Sequence, residues 1–207
     1  VRKVGENVAD KDIIKKLADE CGGVFRTSDL AALGYNTYAI RKIVESQIIE
    51  RIKQGYYRLC KVDEPISEAA QVSQLFPDGV LCMYTALFYY RYSDRTPQEW
   101  NIAVDRDTSK SRFKLDHPFV RPYYMKKEFL TFGVITADYG DCTIQIFDRD
   151  RLICECVFCE NKMDRETYNK AIQSYVADTK KNVPKLLEYA QKRRVLKKVT
   201  DRIGVWL

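Results

Sequence analysis

The chain has 207 residues, room for two small domains or one large one. Apolar residues make up 45% of it, which excludes a disordered tail, and the longest apolar run, Gly79 to Tyr90, is shorter than the ~20 residues a bilayer demands. The net charge of +6 is unevenly spread: residues 1–61 hold 12 Lys/Arg against 8 Asp/Glu, residues 62–178 hold 14 against 19, and residues 179–207 hold 9 against 2. Basic ends flanking an acidic middle suggest contact with a polyanion. The alternative is helix surfaces charged for solubility. Seven cysteines and no secretory leader lead to the expectation of a reducing cytoplasm.

"DKDIIKKLADECGG" predicts a helix, with Ile13, Ile14 and Leu17 on one face, Asp10 as N-cap and Gly22-Gly23 as the stop. "RTSDLAALG" predicts a second, capped by Thr27 or Ser28, favoured by Asp29 in its first turn and ended by Gly34. "YNTYAIRKIVESQ" predicts a third, with Asn36 as N-cap. Two helices joined by a short Gly-containing turn outline a helix-turn-helix. At about 100° per residue, Ile40, Ile43 and Val44 share the core face of the third helix, and Tyr38, Arg41, Lys42 and Glu45 share the opposite one. Thr37 sits at the boundary. That opposite face suits a major groove. Glu45 is a mild objection because it repels phosphate, although it could accept from a cytosine amine.

"IIERIKQGYYRL" predicts a hairpin. Ile49 and Ile52 pack with Tyr57 and Leu59, imperfect alternation implies a bulge, and a three-residue loop, Lys53-Gln54-Gly55, places Gly55 in the left-handed region. Three helices and a basic hairpin make a winged helix over residues 1–61. Arg51, Lys53 and Arg58 then hold phosphates around Gln54 at the tip, and Arg26 and Thr27 touch the backbone from the start of the second helix. Winged helices also serve as protein-docking modules, so the fold alone leaves an adaptor open.

Pro65 marks a link. A helix follows, carrying Ile66, Ala69, Ala70, Ser73 and Phe76 on one face. "LCMYTALFYYRY" predicts a buried helix. "WNIAVDRD", "FVRPYYM", "FLTFGVITA" and "CTIQIFD" predict strands, with a turn at Tyr139-Gly140-Asp141 before the last. Three more helices are expected to close the chain; the final one carries Leu196, Val199, Ile203 and Trp206 on one side and Lys197, Lys198 and Arg202 on the other. Residues 62–207 are expected to form one α+β domain, a small, mostly antiparallel sheet with several helices. Its basic last helices read either as a solvated face or as a surface for an acidic partner.

Three constellations bear on chemistry. Cys154, Cys156 and Cys159 have metal-like spacing, but on a helix Cys154 faces away from the other two, and His117 lies in a polar loop before Pro118, so no metal is expected. Asp105-x-Asp107 and Asp148-x-Asp150 follow strands. They could hold Mg²⁺ for a nucleotidyltransferase or nuclease, or simply end strands and cap helices. No phosphate-cradling glycine motif accompanies them. One histidine in a loop disfavours a Ser-His-Asp mechanism. The expectation is a non-enzyme without a cofactor.

"GGVFRTSDLAALGYNTYAIRKIVESQIIERIKQGYYRL" resembles the N-terminal domain of the AbiEi family of antitoxins. The marks are the Gly-Gly before the second helix, the Asp-Leu…Gly helix, the Ile-Glu-Arg-Ile strand and the Gly-Tyr-Tyr hairpin. "FDRDRLICECVFCENKMDRETYNKAIQSYVADTKKNVPKLLEYAQKRRVLKKV" is similar to that family's C-terminal part, with an Asp-x-Asp-Arg strand end and a Leu-Leu-x-Tyr-Ala helix. The resemblance implies an antitoxin of a type IV toxin–antitoxin module, associated with abortive phage infection. It implies a winged helix that represses the module's own promoter at inverted repeats in double-stranded DNA. It further implies a C-terminal domain needed to counter a nucleotidyltransferase-like toxin, with no stable toxin complex required.

Overall fold

The computed structural model of the protein describes residues 7–60 and 66–206. The described residues divide into two compact units. One holds the chain up to Leu75 with Lys114–Pro118; the other holds Phe76–Phe113 and the chain from Phe119 onward. The expected boundary after residue 61 and the Pro65 link lie outside the described residues.

The first unit opens with α1 (Asn7–Glu20). Asp10, expected to cap it, lies beyond its first residue instead; the side chain of Asp10 is outside the described residues. Ile14, Leu17 and Ala18 face the core. The helix stops as Gly22-Gly23 predicts. Both glycines adopt positive φ, and the Gly23 amide donates back to the Ala18 carbonyl at 2.7 Å. A two-residue strand follows, β1 (Phe25–Arg26), then α2 (Thr27–Ala32) and α3 (Thr37–Glu45). The cap of α2 is Arg26 rather than Thr27 or Ser28: the Arg26 amide donates to the Asp29 carboxylate at 2.7 Å. This is the return half of a capping box, in which the residue three positions downstream accepts from the N-cap amide. Gly34, at φ +89, ends α2, and the Tyr35 amide closes onto the Leu30 carbonyl.

Strands β2 (Ile49–Lys53) and β3 (Tyr56–Leu59) form an antiparallel hairpin, and β1 pairs with β3 to give the order β1-β3-β2. Phe25, Leu30, Tyr35, Ile40, Ile43 and Ile49 form a continuous core under it. Helix α4 (Glu68–Leu75), which the sequence reading gave to the second domain, belongs to this unit. Its Gln74 side chain donates to the Gly22 carbonyl at 2.6 Å and accepts from the Val24 amide at 3.1 Å. Gly22, at φ +69, is required by conformation, and a Cβ there would lie 2.6 Å from the Gln74 amide nitrogen and displace that side chain.

The second unit contains a five-stranded sheet in the order β6-β5-β4-β8-β7. Its strands are β4 (Val80–Leu81), β5 (Trp100–Asp105), β6 (Val120–Met125), β7 (Val134–Tyr139) and β8 (Cys142–Phe147). The sheet is mixed rather than mostly antiparallel: β4–β5 and β7–β8 are antiparallel, β4–β8 and β5–β6 parallel. Strand propensity is blind to direction, and the long connection between β5 and β6 allows a parallel crossover. The run 81–92 read as one helix splits: Leu81 joins Val80 in β4, and only Met83–Tyr89 form α5. The run Phe129–Ala137 splits too, since its start is a 3₁₀ turn at Lys127–Leu130.

Four helices, one more than the three expected, complete the unit: α6 (Arg149–Phe158), α7 (Arg165–Ala177), α8 (Val183–Lys192) and α9 (Leu196–Ile203). Asp148, Asp164 and Asn182 cap the first three through their side chains. In α9, Val199 and Ile203 are buried as the spacing predicts, but Leu196 and Trp206 at the ends of that stripe are exposed.

Candidate nucleic-acid interface

Helix α3 is built as its periodicity requires. The Asn36 side chain accepts from the Ala39 amide at 2.9 Å and fixes where the helix begins. Ala39, Ile40 and Ile43 are buried and Val44 packs beside them. Thr37, Tyr38, Arg41, Lys42 and Glu45 face solvent; Tyr38 is 66% exposed, unusual for so large an aromatic. The cations of this face are not loose. Arg41 Nε lies 3.0 Å from Glu45 Oε1 and Lys42 Nζ lies 2.9 Å from Glu45 Oε2, so each carboxylate oxygen takes one cation. The hydrogen bond to Lys42 holds the Glu45 carboxyl below its usual range and raises Lys42. Lys42 Nζ also stands 5.8 Å from the Tyr38 ring centroid.

The hairpin tip is a two-residue turn, Gln54-Gly55, rather than the expected three-residue loop. Lys53 pairs directly with Tyr56, and the extra residue appears as a bulge between Arg51 and Lys53. Gly55 is left-handed, at φ +81. Its carbonyl accepts from the Thr27 amide at 3.0 Å, which ties the start of α2 to the tip. Tyr56 draws two cations onto its ring: the Arg26 guanidinium at 5.5 Å and the Lys53 ammonium at 4.3 Å from the centroid. Arg26, Thr27, Lys53 and Gln54 therefore gather at one place.

The three cations expected around the tip differ from one another. Arg51 is exposed, with Nε donating to the Lys53 carbonyl at 3.3 Å. Lys53 also reaches the Leu75 carbonyl of α4 at 3.4 Å. Arg58 stands back from the tip opposite Glu50, at 2.7 Å from its carboxylate, and donates to Gln71 at 3.1 Å. Sequence reasoning missed Tyr56 as the platform, Glu50 as a counter-charge and β1 altogether. The strict alternation of Tyr56 and Tyr57 across the strand was the available signal for the first of these.

The carboxylates considered for a metal lie far apart. Ile102 of β5, Leu81 of β4 and Ile146 of β8 stand side by side, with β5 running opposite to the other two. Asp105 is thus three residues from that row in one direction and Asp148 two residues in the other. They are roughly 16 Å apart along the strands and roughly 10 Å across them, too far to share an ion. Asp105 accepts from the Asp107 amide, and Asp148 caps α6 by accepting from the Arg151 amide. Asp150 accepts from the Tyr175 hydroxyl and the Asn182 amide. Each has a structural role. Cys154 and Cys156 are buried in α6 and Cys159 ends it; burial pushes the Cys154 thiol up to about 12, so all favour the neutral form. His117 pairs with Glu68 at 3.0 Å.

Residues 12–59 match a protein family described as "Transcriptional regulator, AbiEi antitoxin". The matched segment runs from α1 to the last residue of β3. No curated protein matches the chain. Among the described residues no helix is long and apolar enough to cross a membrane.

Proposed function

We propose that this chain, an AbiEi-family antitoxin regulator over residues 12–59, represses its own promoter and counters a toxin encoded beside it. Residues 1–61 form the DNA-binding domain. Tyr38, Arg41 and Lys42, with Thr37 at the helix start, meet the major groove. Arg26, Thr27, Arg51, Lys53, Gln54 and Arg58 meet the phosphate backbone beside it. The operator is an inverted repeat in double-stranded DNA. Residues 62–207 form the antitoxin domain, which opposes a nucleotidyltransferase-like toxin without a stable complex, as in type IV modules. The protein acts in the cytoplasm, without a cofactor and without catalysis of its own.

One observation carries the DNA reading: α3 leaves Tyr38, Arg41 and Lys42 on a solvent face while the tip of the adjoining hairpin gathers Arg26, Lys53 and Gln54. Exposed aromatic and cationic side chains on a capped helix, with further cations on a hairpin, are what groove and phosphate contact call for. A gel shift with the duplex upstream of its own gene tests the reading. Retardation at a protein concentration that leaves a scrambled duplex free supports it; equal retardation of both contradicts it. The toxin reading is tested separately, by whether co-expression of the full chain restores growth to cells producing the toxin.

A further inference from the structure

We infer that Glu45 is a specificity-determining residue, one that holds Arg41 and Lys42 away from DNA backbone until a base donor occupies its carboxylate. The inference rests on the reading of α3 as the groove-binding helix. Both oxygens of Glu45 are engaged, one by Arg41 Nε at 3.0 Å and the other by Lys42 Nζ at 2.9 Å. All three side chains are at least 44% exposed, so solvent and salt screen the contacts and the clamp opens readily.

Its consequence lies in what opening leaves behind. On an arbitrary duplex, Arg41 and Lys42 reach phosphates only by leaving a bare carboxylate in the same groove, where it repels the backbone. At a site presenting a cytosine N4 amine, the carboxylate gains a donor and the repulsion is offset. A single acidic side chain between two readers therefore weakens wrong complexes more than right ones, which is how charge discriminates between partners. Arg41 and Lys42 both sit about one turn from Tyr38 on the recognition face, so this control acts on the residues most able to touch bases.

The test uses the full chain, the duplex upstream of its gene and a scrambled duplex of equal length, titrated over a salt series. Glu45→Gln keeps size and one acceptor oxygen while removing the charge. We expect its affinity for the scrambled duplex to rise about threefold to tenfold, and its log–log salt slope on that duplex to steepen by about 1. Affinity for the upstream duplex should change less, so the ratio between them narrows. Glu45→Ala also removes the acceptor and should bind the upstream duplex more weakly than Glu45→Gln does. Equal gains on both duplexes, or no change on either, would overturn the inference while leaving the DNA reading intact. A wild-type chain with no preference for the upstream duplex would overturn both.

Discussion

Arg51, Lys53 and Arg58 were indistinguishable as letters, and their surroundings now separate them. A phosphate contact releases counterions in proportion to the charge it neutralises. Arg51 is exposed, and Lys53 stands at the tip over a ring face, whereas Arg58 is set back and matched by Glu50. Arg51→Ala and Lys53→Ala should each weaken binding about equally on every duplex and flatten the log–log salt slope by about 1. Arg58→Ala should flatten it by less than either, because Glu50 already offsets part of the charge Arg58 brings to the backbone. Fluorescence anisotropy across a salt series measures all three. A different group of residues sets stability. Glu155 is buried between two arginines, 2.7 Å from Arg151 and 2.7 Å from Arg193, and aromatic rings cover both guanidiniums: Phe132 lies 4.2 Å from Arg151 and Phe158 lies 3.8 Å from Arg193. Glu155→Ala leaves two buried cations without their anion and should cost about 3–5 kcal/mol, read from urea unfolding. Arg151 and Glu155 are an i,i+4 pair on α6, a spacing visible in the sequence. Arg193, one residue past α8, joins them only when the two helices pack, and burial of the group was not legible because Arg and Glu on a helix read as surface. The exposed face of α3, by contrast, was legible residue by residue, because period and handedness fix directions once Asn36 fixes the start.

Elements whose signals are local came through best. The stops of α1 and α2 needed only glycine's access to positive φ, and the start of α3 needed only an Asn side chain able to accept from the first turn. Asn36→Ala should lower stability by about 1 kcal/mol and fray the first turn of α3, measurable by denaturation and by faster amide exchange at Ala39. Elements whose identity depends on distant partners were misjudged. Val80–Leu81 are too short to show a period and become a strand because β5 and β8 flank them. Phe25–Arg26 become a strand because β3 is there to pair with. Helix α4 was correctly placed in sequence but not in space: its ties to the first unit run through Gln74, whose partners lie about fifty residues upstream. Gln74→Ala removes two hydrogen bonds to backbone groups and should cost about 1–3 kcal/mol, seen as a lower urea midpoint for the first unit. An unchanged midpoint would mean that α4 is merely tethered there.

Across the whole molecule, charge gives two regions a claim on nucleic acid. Residues 1–61 carry +4 by count of ionisable side chains and residues 179–207 carry +7. Net charge favours the second, yet charge alone says nothing about fit. Geometry favours the first, where cations and an exposed aromatic stand on a capped helix and at a pinned hairpin tip. Val199 and Ile203 form the buried side of α9, and its lysines read as an ordinary solvated face. Direction of strands, pairing across the mixed sheet and the membership of α4 are properties of the assembled chain, which is why the sequence read them least well. The central claim is that α3 and the hairpin contact duplex DNA together. Hydrogen exchange of the full chain, with and without the duplex upstream of its gene, tests it most directly. The account predicts added protection at residues 26–28, 37–45 and 51–58 and none beyond what a scrambled duplex gives at 196–203. Protection confined to 196–203, with α3 and the hairpin unchanged, would contradict it.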